Sequence, residues 1–144
     1  MSSYLIGIDV GTSSTKAVLV DEAGKVVSMV APEYDFRTPR PLWAESDPAD
    51  WWVAAVKAIR SLLEKVDPVS VAGIGLTGQM HGMVALDGTG EVLRPCIMWN
   101  DQRTGAQCAA ITEKVGAEKV IQLTGNPVLP GFTAPKIAWT RENE

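Results

Sequence analysis

The sequence predicts a mixed α/β fold, in which helices flank a sheet of parallel and antiparallel strands. Segments 4–10 and 15–21 are rich in Val, Ile and Leu and are separated by a short Gly-Thr-Ser turn, which predicts a hairpin. A helical pattern and a further apolar segment, 69–77, then follow along the chain. Strands followed by alternating helices and strands are typical of a sheet covered by helices, and we expect a mixed five-stranded sheet.

A helix of about 48–65 follows a third strand, 25–31, and a proline-rich loop. Asp47 has the side chain of an N-cap residue, and Pro48 suits the first helical position. Apolar residues then recur at helical spacing, which predicts a buried face formed by Trp52, Val56, Ile59 and Leu63. This pattern places Trp52 in the core and Trp51 at its rim rather than in a ligand-stacking site.

The second half of the chain alternates between strands and helices again. Its expected elements are a buried strand at 69–77, a hairpin at 83–93, a strand at 96–99, and helices from about Thr104, after Val115 and from about Thr133. The last helix reaches Glu144 without a capping residue, so we expect the chain to be cut from a longer protein.

The composition argues against several classes of function. The net charge is −4 with no basic run, so a nucleic-acid partner is not expected. The two cysteines, Cys96 and Cys108, form no CxxC pair and follow no secretory signal, which favours the cytoplasm. No apolar run approaches the roughly 20 residues that a membrane span needs, so no membrane partner is expected either. The length of 144 residues is that of one domain.

The segment Gly73–Gly78 matches the GxGxxG pattern and follows a predicted strand. A dinucleotide-binding loop also needs a helix to start at its last glycines, so that the helix N-terminus faces the pyrophosphate. Residues 79–86 instead continue with strand-like residues toward a hairpin turn. The pattern is therefore interpreted as part of a strand.

A better candidate for a phosphate loop lies in the first hairpin, within IGIDVGTSSTKAVLVDEAGKVV, residues 6–27. Small residues let backbone N–H groups and hydroxyls approach an oxyanion closely, and the predicted loop residues are Gly11, Thr12, Ser13, Ser14 and Lys16. Asp9 precedes them, and strand alternation points it away from Ile8 and Val10. A carboxylate there is suited to hold Mg²⁺ beside a nucleotide's phosphates. The alternative is a polar hairpin loop with a turn-capping aspartate.

This stretch resembles the first phosphate loop of the actin, heat-shock 70 and sugar kinase superfamily. The resemblance implies an actin-like ATPase (ribonuclease H-like) domain that uses ATP and Mg²⁺. Three further stretches resemble the N-terminal part of xylulokinases, in the FGGY carbohydrate kinase family: PLWAESDPADWW, LTGQMHGMVALDGTGEVLRPCIMWNDQRT and TGNPVLPGFTAPKIAWTRE. The resemblance runs from Tyr4 to the last residue and implies that 1–144 is the N-terminal domain portion of such a kinase, with its phosphate loop at 9–16.

The resemblance assigns Met80 and His81 to substrate binding, and the adjacent Gln79 is also a predicted substrate-binding residue. Glycerol kinases carry an arginine and a glutamate where this chain has Met80 and His81, which favours a ketopentose. Trp99, Asp101 and Arg103 follow a strand end, where ligand contacts are common in open sheets. Trp99 is suited to the carbon face of a sugar, and the two charged residues to its hydroxyls. A structural ion pair between Asp101 and Arg103 is the alternative.

The resemblance implies ATP-dependent phosphorylation of D-xylulose to D-xylulose 5-phosphate. In that reaction Asp9 serves the metal and the transferred phosphate, while the general base is an aspartate in the C-terminal domain, outside this chain. We therefore expect the isolated chain to be inactive, and its partners to be the sugar, ATP, the C-terminal domain and a second copy in a homodimer. Another substrate (gluconate, ribulose or glycerol) and a non-catalytic sugar-sensing module are the alternatives.

Overall fold

The computed structural model describes residues 3–144. Its elements, in chain order, are β1 (Tyr4–Val10), β2 (Thr15–Asp21), β3 (Val26–Val30), β4 (Glu45–Ser46), α1 (Pro48–Leu63), a 3-10 turn (Pro68–Ser70), β5 (Val71–Gly78), β6 (Cys96–Ile97), α2 (Gly105–Val115), α3 (Ala117–Thr124) and α4 (Thr133–Asn143). Within 3–144, no helix has the length and apolar character needed to cross a membrane.

The chain forms two compact units. The first, called the sheet unit, contains the chain up to Phe36 and Asp47–Gln79. The second, called the helical unit, contains Arg37–Ser46 and Met80–Glu144.

The sheet unit has a four-stranded mixed sheet of order β3-β2-β1-β5. β1 pairs antiparallel with β2 and parallel with β5, which confirms the predicted hairpin and the mixed sheet. The strand number is lower than the predicted five. The remaining candidate strand, β6, pairs instead with β4 in a two-stranded sheet, because its backbone groups bond to neighbouring segments of the helical unit.

Helix α1 begins as predicted and packs its small side chains on the sheet. The Asp47 carboxylate caps it by accepting a 2.9 Å bond from the Ala49 N–H. Its buried residues, Ala54, Ala58 and Leu62, are spaced four apart, and the last two join the core formed by Ile6, Ile8, Ala17 and Leu19 of β1 and β2. The prediction that Trp52 lies in this core is wrong, since Trp52 is 72% exposed. The alanine stripe faces the sheet and turns Trp52 away from it.

Strand β5 confirms a strand near 69–77 but not its burial. It lies at the edge of the sheet, and Leu76 is 76% exposed. The whole GxGxxG segment belongs to this strand, and the next helix along the chain begins only at Gly105. The interpretation of this segment as a strand rather than a dinucleotide-binding loop is therefore confirmed.

In the helical unit, α2 contacts both α3 and α4, and all three helices occur where the sequence predicts them. The predicted hairpin at 83–93 is reduced to a turn and an isolated bridge between Leu86 and Val92. The Asp87 carboxylate accepts bonds from the N–H groups of Thr89 and Glu91, so the side chain stabilises the turn without regular strands on either side.

Candidate functional site

The tip of the β1–β2 hairpin is a tight turn in the sheet unit. The Gly11 N–H donates a 2.9 Å hydrogen bond to the Ser14 carbonyl oxygen. A Cβ atom on residue 11 would lie 3.0 Å from that same oxygen, so the turn favours glycine. Thr12 and Ser13 lie between these two residues and place two hydroxyls at the tip.

Two side chains from outside the hairpin hold this turn. The Tyr34 hydroxyl donates a 2.7 Å bond to the Gly11 carbonyl, and the Tyr34 N–H donates to the Ser13 carbonyl at 3.0 Å. The amide of Gln79 donates to the same Gly11 carbonyl at 3.3 Å and accepts from the Thr12 hydroxyl at 3.5 Å. The backbone of the turn is therefore held by hydrogen bonds from Tyr34 and Gln79, which lie far from it in the sequence.

Tyr34 was not among the predicted site residues. It lies in an irregular segment after β3, where no periodicity distinguishes it. Burial raises its pKa, with a smaller rise from the nearby Asp9 charge, while its hydrogen bond with Thr15 lowers it. The hydroxyl thus stays protonated and able to donate to the turn.

Asp9 lies on the exposed face of β1, opposite the buried side chain of Ile8, as strand alternation predicts. The sheet register places Lys16 of β2 on one side of Asp9 and Thr77 of β5 on the other. This face opens into a cavity of about 380 Å³, lined by Gly7, Ile8, Asp9, Lys16, Val18, Gly75, Leu76 and Thr77. A carboxylate and an ammonium thus share one cavity wall beside the hairpin turn.

Among residues 3–144, no cluster of three or more metal-ligating side chains of the His, Cys, Asp and Glu types occurs. A single carboxylate such as Asp9 nevertheless suits Mg²⁺, which usually keeps several waters and completes its coordination with substrate phosphates.

In the helical unit, Met80 and His81 form an exposed turn. Met80 is 73% exposed, and the His81 backbone is left-handed with φ of 63°. The His81 ring lies 4.8 Å from the ring of Phe132, measured between centroids. A Cβ atom on Gly82 would lie 3.0 Å from the Cys96 sulfur, so the turn packs closely on β6.

Trp99 and His81 both adjoin the segment 131–136. Trp99 is 49% exposed, and a Cβ atom on Gly131 would lie only 2.6 Å from its carbonyl oxygen. The Lys136 ammonium donates to the carbonyl oxygens of both His81 and Gly131, at 2.6 and 2.7 Å. Lys136 was not a predicted site residue, because its position in a helix does not distinguish it from a surface lysine.

Asp101 and Arg103 form the ion pair that was the alternative interpretation of these residues, at 2.8 Å. Their side chains are 0% and 1% exposed, respectively. Asp101 also accepts a 2.7 Å bond from the Ala44 N–H, and Arg103 pairs with Glu45 at 2.8 Å. Both charged groups therefore have ion-pair or hydrogen-bond partners inside the helical unit.

Residues 4–144 match the sequence model of the FGGY family of carbohydrate kinases, N-terminal domain. The xylulose kinase of Klebsiella pneumoniae is 45% identical over 139 residues, covering 96% of this chain and 28% of that protein. The chain thus spans less than a third of the length of this curated relative.

Two solved structures resemble the chain closely. The xylulose kinase from Rhodospirillum rubrum superposes with a TM-score of 0.92 at 34% identity, covering 100% of this chain and 30% of the other. The gluconate kinase from Lactobacillus acidophilus gives a TM-score of 0.92 at 31% identity, covering 99% and 29%, respectively.

Proposed function

The chain belongs to the FGGY family of carbohydrate kinases, and from this we propose that it is the N-terminal part of a kinase that transfers a phosphoryl group from ATP to D-xylulose. The main support for this proposal is the exposed Asp9 carboxylate. It lines the same cavity as Lys16, its partner in the strand register, beside the hairpin turn that Tyr34 and Gln79 hold. Xylulose kinase relatives that match almost the whole chain support the choice of sugar.

On the nucleotide side, the hairpin turn is proposed to bind the ATP phosphates. The hydroxyls of Thr12, Ser13 and Ser14 and the N–H groups at the turn are small donors suited to phosphate oxygens. Lys16 adds a positive charge on the wall that Asp9 shares. Asp9 would hold Mg²⁺ at this wall, and the bound ion would supply charge neutralisation for the transferred phosphoryl group.

On the sugar side, Met80, His81 and Trp99 are proposed to contact D-xylulose. All three side chains are exposed. The imidazole offers a hydrogen bond to a hydroxyl, and the indole offers an apolar face to the carbon skeleton.

Three predicted substrate residues have a different proposed role. Gln79 holds the hairpin turn through Gly11 and Thr12. Asp101 and Arg103 form a buried pair that stabilises the helical unit. Their predicted sugar contacts are therefore not part of our proposal.

Phosphorylation also needs a residue that accepts the proton of the attacking hydroxyl. We propose that this base and most of the adenosine site lie in the C-terminal domain, because the chain covers only 28% of its curated relative. The isolated chain is then expected to have negligible kinase activity, and domain closure over the sugar is expected to exclude water.

The test is ADP release by the full-length protein and by residues 1–144, each with ATP, Mg²⁺ and one of D-xylulose, D-ribulose, gluconate, glycerol or no sugar. Turnover by the full-length protein alone, fastest with D-xylulose, is expected. Fastest turnover with gluconate would favour the second candidate, which the superposition on a gluconate kinase supports. Sugar binding without turnover by the full-length protein would instead indicate a sensing module.

A further inference from the structure

Lys136, the fourth residue of α4, is a lysine with no exposed surface. Lysine is almost never fully buried without a partner, because transfer of its ammonium from water is costly. Its Nζ atom donates at 2.6 Å to the His81 carbonyl and at 2.7 Å to the Gly131 carbonyl. Two backbone carbonyls, rather than a carboxylate, are therefore its hydrogen-bond partners here.

The carbonyl at His81 belongs to a strained backbone. His81 has φ of 63°, a left-handed conformation that residues other than glycine adopt uncommonly. Such a conformation persists only where surrounding contacts hold it. The Lys136 bond supplies such a contact on one side of the turn, and the packing of Gly82 against Cys96 supplies another.

The second carbonyl connects the same ammonium to the other sugar-binding elements. Gly131 lies against the Trp99 carbonyl so closely that no Cβ atom fits. The next residue, Phe132, contacts the His81 ring. One buried cation thus fixes the backbone of His81 and the segment that adjoins both His81 and Trp99.

We propose that Lys136 is a positioning residue for the sugar, which holds the backbone of His81 and Gly131 so that the His81 imidazole and the Trp99 indole are oriented before the sugar binds. This inference rests on the proposed function, because it assigns Lys136 to the same sugar site. Preorganisation of this kind raises affinity by removing the ordering cost from the binding step.

The test is steady-state kinetics of Lys136→Met in the full-length protein. The methionine keeps the aliphatic stem and removes the donors. We expect the KM for the sugar to rise about tenfold, a loss of about 1.4 kcal/mol, while the KM for ATP stays within about twofold. Arg94→Met is the matched control, since Arg94 is a largely buried cation of the same unit that pairs with Glu45 and Glu144. It is expected to lower the unfolding midpoint without changing the KM for the sugar.

A double-mutant cycle with His81→Ala separates positioning from general destabilisation. Because Lys136 acts partly through His81, Lys136→Met in the His81→Ala background is expected to raise the KM for the sugar by a smaller factor than it does in the wild-type background. Equal effects in both backgrounds would overturn the inference, and so would an unchanged KM in Lys136→Met. If Lys136→Met does not fold, the same cycle is run with Lys136→Gln, whose amide is one bond shorter and uncharged.

The inference and the proposed function fail in different ways. A wild-type protein that phosphorylates another sugar contradicts only the choice of D-xylulose, and the cycle is then run with that sugar. A wild-type protein that phosphorylates no sugar contradicts the proposed function and the inference with it. Normal wild-type kinetics with additive variants would overturn the role of Lys136 alone.

Discussion

The guanidinium carbon of Arg103 lies 3.6 Å from the ring centroid of Trp43. The same guanidinium pairs with the carboxylates of Asp101 and Glu45, both at 2.8 Å. A planar cation that is stacked on an aromatic face and paired with carboxylates has little capacity left for a ligand. This arrangement makes Arg103 a stabilising residue in our proposal rather than a sugar contact.

Arg103→Met is therefore expected to affect stability rather than substrate affinity. Removal of one partner leaves the Asp101 carboxylate buried without its cation, which costs about 3 kcal/mol. We expect a lower midpoint of urea unfolding and a KM for the sugar within about twofold of wild type. Arg141→Met, at an exposed arginine of α4, is the control. A large rise in KM at unchanged stability would restore Arg103 to the sugar site.

Where local chemistry decides the structure, the sequence was sufficient to predict it. The Asp47 and Pro48 pair specified the start of α1, and the apolar strands with their Gly-Thr-Ser turn specified the β1–β2 hairpin. The side of β1 that carries Asp9 followed from alternation alone. These features depend on residues a few positions apart.

Where burial depends on distant segments, the sequence pattern was misleading. Ala54 and Ala58 form the buried stripe of α1, because small side chains allow close packing on the sheet. The prediction of the buried face was based on the large apolar residues and therefore included Trp52, which is exposed. The strand predicted at 69–77 is exposed because the order of strands in the sheet places β5 at an edge. No local pattern decides either outcome.

The candidate site shows the same division. Gly11 and Asp9 were proposed as site residues from the hairpin sequence, and Met80 and His81 from a family resemblance; these assignments remain predictions. Tyr34 and Lys136 were missed, because each acts through bonds to backbone carbonyls 23 and 55 positions away, respectively.

Asp9→Asn tests the metal role in the full-length protein. The amide keeps the shape of the side chain but loses the charge that binds Mg²⁺, so we expect kcat to fall by about a hundredfold or more. The residue is exposed, so the unfolding midpoint is expected to change little. Asp21→Asn, at the far end of the same hairpin, is the control and is expected to retain wild-type kcat. Retained kcat in Asp9→Asn at all Mg²⁺ concentrations would contradict the assignment.

Tyr34→Phe tests whether the hairpin turn has to be held for ATP binding. The substitution removes the donor to the Gly11 carbonyl, and a hydrogen bond of this kind contributes about 1 kcal/mol. We expect the KM for ATP to rise about fivefold with the KM for the sugar unchanged. Tyr4→Phe removes a hydroxyl from β1 of the same unit and is the control. A rise in the sugar KM alone would show that the turn does not serve the nucleotide.

The pH dependence of stability tests the environment of Lys136. Burial lowers the pKa of Lys136 from 10.5 to about 8, with a further lowering by Arg103 that Cys96 and Asp101 oppose. Above pH 8 the unfolded chain therefore keeps a proton at this side chain that the folded protein releases. Stability contributed by this group must rise with pH from about 8 toward 10.5, because the unfolded state binds more protons in that range.

Cys96 has the opposite effect at higher pH. Burial raises its pKa from 9.0 to about 11, so its contribution to stability falls as pH rises through that range. The effect of Lys136 on stability is therefore best measured between about pH 7.5 and 9, below the range in which Cys96 opposes it. Unfolding midpoints of wild type and Lys136→Met measured across this window should diverge, with wild type gaining relative to the variant as pH rises. A constant or shrinking difference would mean that Lys136 titrates near its ordinary pKa and that its ammonium is not desolvated.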